Sequence, residues 1–75
     1  MNTEKQQKVA KLIVLLINIE KELSTVETTL NKLVQAYVDR QDGVMVGTIN
    51  EKLDTIARLK TKITRARLNL NYHFI

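Results

Sequence analysis

From Val9 onward, apolar residues recur in alternating steps of three and four: Val9, Leu12, Leu16, Ile19, Leu23, Val26, Leu30, Leu33 and Tyr37. This is a heptad, with a positions at Val9, Leu16, Leu23, Leu30 and Tyr37 and d positions at Leu12, Ile19, Val26 and Leu33. No Pro or Gly interrupts it, so it predicts one continuous helix over about residues 4–41, roughly 55 Å long at 1.5 Å per residue. Thr3-Glu4-Lys5-Gln6 has the form of a capping box that starts such a helix.

Asp42-Gly43 is expected to end the first helix, because Gly accepts the left-handed conformation common just past a C-terminus. Val44, Met45 and Val46 then read as loop. Thr48-Ile49-Asn50-Glu51 forms a second capping box, predicting a helix over about residues 49–71 after a turn at 42–48 and before a short tail at 72–75. In that helix Ile49, Ile56, Ile63 and Leu70 take a, while Leu59 and Ala66 take d with Lys52 in a d slot near the turn. The pattern therefore predicts an all-α, single-domain antiparallel hairpin of a long and a shorter helix.

A second helix of that length would leave the first turns of helix one overhanging. The overhang carries Ile13, Val14, Leu15 and Ile17, apolar and outside the a and d columns, and a helix apolar all round is buried all round. A chain of 75 residues without Cys and with a single His, His73, has neither disulfides nor the usual metal clusters to supplement a thin core. Association is the remaining source of stability. The expectation is a homodimer in which two hairpins form a four-helix bundle, with Val9, Leu12, Ile13, Leu15, Leu16 and Ile17 at the interface. Three lysines ahead of a short apolar run also have the form of a secretion signal. The heptad continues through the run unbroken, and Glu20, Lys21 and Glu22 end it well short of a membrane span. A cytoplasmic protein is expected, and lack of Cys fits a reducing compartment.

Charge sharpens the picture. Of the net charge of +4, none comes from residues up to Asp42, where six basic and six acidic residues balance, and all comes from Lys52, Arg58, Lys60, Lys62, Arg65 and Arg67 against Glu51 and Asp54. With a turn centred near Met45, an antiparallel register places Glu27 near Lys60 and Lys62, and Glu20 and Glu22 near Arg67. That accounts for much of the basic excess as ion pairs. Arg58, Lys62 and Arg65 remain as candidates for a nucleic acid or an acidic partner.

No Gly-rich phosphate loop, Ser–His–Asp set or catalytic Cys can be drawn from the sequence, so neither an enzyme nor a cofactor is expected. Asn50-Glu51-Lys52-Leu53-Asp54 resembles the Ser-Gln-Glu-Leu-Asp box of small hairpin phosphatases that act on a sporulation regulator. Asn50 stands where that family has Ser and the loop is shorter, so membership is not assigned. The expected architecture also resembles small plasmid RNA-binding hairpin dimers, without a shared motif. The function expected from the residues is that of a small accessory protein of a bacterium or phage that binds and modulates another protein, with Val44, Met45 and Val46 as a candidate contact. Nucleic-acid binding by the outer face of helix two is the alternative.

Overall fold

The computed structural model describes residues 3–74, which form two antiparallel helices, α1 (Thr3–Asp39, 37 residues) and α2 (Gly43–Phe74, 32 residues). This is the antiparallel helical hairpin expected from the heptads, but its turn is far tighter than residues 42–48. Only residues 40–42 lie outside the helices.

The turn has two halves that meet at Asp42. Gln41 sits in the left-handed region with φ 59°. Its N–H donates to the Val38 carbonyl at 2.9 Å, and the Asp42 N–H donates to the Tyr37 carbonyl at 3.0 Å. These are the two bonds of a Schellman motif, which satisfies carbonyls that the end of α1 would leave unpaired. Asp42 then caps α2: its Oδ1 accepts from the Met45 N–H at 3.1 Å, and its carbonyl accepts from the Val46 N–H at 3.1 Å. Gly43, expected to hold the left-handed position, is instead the first residue of α2, and no glycine has positive φ. The predicted start at Thr48 is corrected too. A capping Asp six residues earlier nucleates the helix first, and the Thr48 hydroxyl donates back to the Val44 carbonyl inside it.

An early start and a late end remove the predicted overhang. α2 continues through Tyr72, His73 and Phe74, so the expected tail is helical over its described residues, Ile75 lying outside them. Phe74 shares a recess with Thr3, Gln6, Gln7 and Ala10, and the Lys5 ammonium lies 5.3 Å from its ring centroid. The first turns of α1 therefore have an intramolecular neighbour.

The contact seam also departs from expectation. The half-buried residues of α1 include Val9, Ile13, Leu16, Glu20, Leu23, Glu27, Leu30, Val34 and Tyr37, and those of α2 include Leu53, Ile56, Lys60, Ile63, Arg67 and Leu70. These are the a and e columns, not a and d. An apolar stripe over a, d and e is wider than one neighbouring helix can cover, and the e columns carry the complementary charges that join the two helices. Ile49, 4% exposed, is the one buried residue among those described, and none is fully buried. The molecule is a rod, with Cα extents of 61 × 15 × 11 Å and a radius of gyration of 17.2 Å, against about 11 Å for a compact chain of this length.

Two substitutions test the turn. Asp42→Ala removes the α2 cap and should lower unfolding free energy by about 1 kcal/mol. Gly47→Ala should raise it by about 0.5–1 kcal/mol, because Gly47 is inside α2 with ordinary φ and an added Cβ would meet nothing within 4 Å. Urea unfolding monitored by circular dichroism reads both. A Gly47→Ala chain no more stable than the parent would return residues 43–47 to a loop.

Candidate interaction surface

Two ion pairs sit within the seam rather than at its margin. Arg67 Nε donates to both Glu20 oxygens, at 3.0 and 3.1 Å, and Lys60 Nζ donates to Glu27 Oε1 at 2.7 Å. The four side chains are only 16–30% exposed. Each pair joins e positions, one heptad forward on α1 and one heptad back on α2. A slip of register by one residue would separate both pairs together, so they specify alignment more than they add stability. The Arg67 hydrogen bonds hold the Glu20 carboxyl below its ordinary range, against the opposing effect of partial burial, with Thr64 and the charges of Arg67 and Lys60 assisting.

These are two of the ion pairs anticipated from the charge pattern. The others, Lys62 with Glu27 and Glu22 with Arg67, do not form among the described residues. The turn centres on Gln41 rather than Met45, and this shift of four residues changes the residue facing a given position by eight, about two helical turns. Lys60 and Arg67 still reach Glu27 and Glu20, because their long side chains slant toward the N-terminus of α2 and so toward the turn. Glu22 and Lys62 occupy g positions, on the outer edges of the hairpin, and are exposed.

What the hairpin leaves uncovered follows from its use of a and e. The d column of α1, Leu12, Ile19, Val26 and Leu33, is 40–44% exposed at every position, as is Leu59 at d of α2 with 44%. On a pair of antiparallel right-handed helices that share a/e contacts, the d columns of both turn to the same side. Leu12, Ile19, Val26 and Leu33 therefore lie on one face with Leu59 and Ala66 of α2, and Lys52 and His73, the other two d positions of α2, stand at the two ends of that face. The opposite face is more polar. There the b positions are Ser24, Asn31, Asn50, Thr64 and Asn71 together with Ala10, Ile17, Val38 and Ala57, a more polar set than the d column of α1, and a groove lined by Ile17, Glu20, Ser24, Lys60 and Thr64 runs between the helices.

The residues singled out from sequence are divided by this geometry. Val9, Ile13, Leu16 and Ile17 are half-buried, the first three in the hairpin's own seam, whereas Leu12 and Leu15 remain exposed with Val14 beside them. Val44, Met45 and Val46 are not a loop tip but the first turn of α2. Met45 and Val46 are half-buried and Val44 is 81% exposed. Of the basic candidates, Arg58 is engaged by Asp54 one turn away on α2, while Lys62 and Arg65 are exposed. No described helix is long and apolar enough to cross a membrane.

The lowered pKa of Glu20 gives the hairpin a pH dependence of known sign. A carboxyl whose folded pKa lies below its ordinary value near 4.5 contributes stability that is present above that value and is lost as pH falls through the folded pKa. Thermal melts should show stability falling below about pH 4.5, and Glu20→Gln should remove part of that slope; an unchanged slope would mean the pair is not formed. Comparison with protein-family models, with curated proteins and with solved structures gives no match, so a functional reading has to stand on these surfaces.

Proposed function

We propose that this chain is a small non-enzymatic interaction protein that binds and modulates another protein, the role of many accessory proteins of bacteria and phages, and that its working unit is a homodimer. The observation that carries this reading is apolar surface in excess of what the hairpin can bury. Val14 and Leu15 are 56% and 57% exposed on the outer side of α1, in addition to the d column. Exposed apolar surface of that extent is characteristic of association sites. Glu20, whose acidity is displaced, is displaced toward the ionised form by a structural arginine, the opposite of what a general acid near neutral pH requires.

The basic outer face of α2 supports nucleic acid less well. Arg58, Lys60 and Arg67 are each engaged by a carboxylate of the same chain, which leaves Lys52, Lys62 and Arg65 as dispersed charges.

The test uses the tagged full chain and a Val14→Lys/Leu15→Lys variant as baits in lysate of the producing organism, at about 0.15 M salt. The reading expects one protein retained near stoichiometrically by the parent and lost by the variant. Retention of nucleic acid alone, released steeply by salt, would establish the alternative. Equal retention by both baits would remove Val14 and Leu15 from the contact.

A further inference from the structure

The chain exposes 5918 Å², whereas a compact monomer of 8.6 kDa exposes about 4,700 Å². The surplus of roughly 1,200 Å² exceeds the ~800 Å² that each partner buries in an interface of standard size. Five of the exposed large apolar side chains, Leu12, Ile19, Val26, Leu33 and Leu59, lie together on the d face, so one occupant of the right shape would cover them.

The face describes that occupant. Its apolar positions recur at the heptad interval on α1 from Leu12 to Leu33, about 32 Å of helix at 1.5 Å per residue, and Leu59 and Ala66 continue it on α2. A straight helical partner with the same repeat matches that spacing along its length, and a pair of such helices matches both rows at once. The rim adds charge. Glu22 edges the face on α1 and Lys62 edges it on α2, both exposed and without an ion-pair partner among the described residues. They lie within one helical turn of the same level, yet the width of the hairpin separates them.

A two-fold axis parallel to the helices resolves both features. It sets α1 of one hairpin over α2 of the other, antiparallel, and keeps every level unchanged. Val26 then meets Leu59 of the partner and Ile19 meets its Ala66, a large side chain against a small one, while at the two ends Leu33 meets the partner's Lys52 and Leu12 meets the partner's His73, whose polar tips can reach water there. Glu22 comes to the same edge as the partner's Lys62, twice per dimer. An axis across the helices would instead set α1 over α1 and leave the lysines facing each other on α2.

We propose that the d face receives the d face of a second copy, forming a four-helix bundle in which α1 of each protomer packs on α2 of its partner and Glu22 pairs with the partner's Lys62. This deepens the interaction reading by naming the face and register of its homodimer, while Val14, at f, stays outside the contact and Leu15, at g one heptad before Glu22, lies on its edge. The four helices alternate in direction, and each a/e seam is continued into the bundle core by d residues of both copies.

Because the chain has no Cys, single cysteines at these exposed sites report the register. Glu22→Cys and Lys62→Cys chains are treated with a short bismaleimide, separately and mixed, at about 50 µM. The mixture should give a covalent dimer at least roughly tenfold faster than either variant alone. In sedimentation, Glu22→Lys should weaken the dimer by roughly threefold to tenfold, a few tenths of a kcal/mol for each of two surface pairs, and Glu22→Lys/Lys62→Glu should restore it. Faster crosslinking of Glu22→Cys with itself, a monomer at 50 µM, or no recovery by the double exchange would each overturn the proposal. Failure here with lysate capture intact would leave the interaction reading standing, and the reverse result would leave the dimer without the partner.

Discussion

Two helices lying side by side can share only one face, and this chain has apolar residues on more than one. The a column is common to every arrangement. The hairpin adds the e column to it and leaves d in solvent, so the fold is complete as a backbone but incomplete as a core. That imbalance explains why Ile49 is the one buried residue among those described, why the molecule is a rod of 61 Å, and why part of its exposed apolar surface recurs at the heptad interval.

The choice of e over d is electrostatic as much as hydrophobic. Glu20 and Glu27 on α1 and Lys60 and Arg67 on α2 would sit in solvent if d formed the seam. In the e seam their alkyl stems cover aliphatic neighbours and their charged ends meet at 2.7–3.1 Å. The turn agrees with this alignment. Gln41 ends one helix and Asp42 starts the next with no intervening loop, so the polypeptide fixes the level of the helices and the ion pairs fix their rotation. Neither device stabilises much alone, but both specify the same structure.

The helices, their antiparallel pairing and the partners of Glu20 and Glu27 were legible in the heptads and the charge pattern. The turn was misplaced because Gly43 is the stronger signal for a left-handed residue, and the structure gives that position to Gln41 so that Asp42 can cap α2. The overhang was an artefact of the same error: starting α2 at Gly43 instead of Ile49 and ending it at Phe74 lengthens it to match α1. Residue spacing could not distinguish an a/d seam from an a/e seam, since both alternate steps of three and four. The distinguishing information lay in the e-column charges, which had been assigned to the flanks. Leu12 and Leu15 remain on the candidate surface, whereas Val9, Ile13 and Leu16 were used by the hairpin itself.

If a second copy covers the open apolar face, folding and association are one process, as in obligate dimers whose stability depends on protomer concentration. The most direct measurement is the thermal midpoint of the unmodified chain by circular dichroism over a hundredfold range of concentration. If the d face is covered by a second copy, the midpoint should rise by roughly 3–5 °C per tenfold increase. A cooperative melt whose midpoint does not move with concentration would show that the hairpin is stable with that face in water, and would contradict the account.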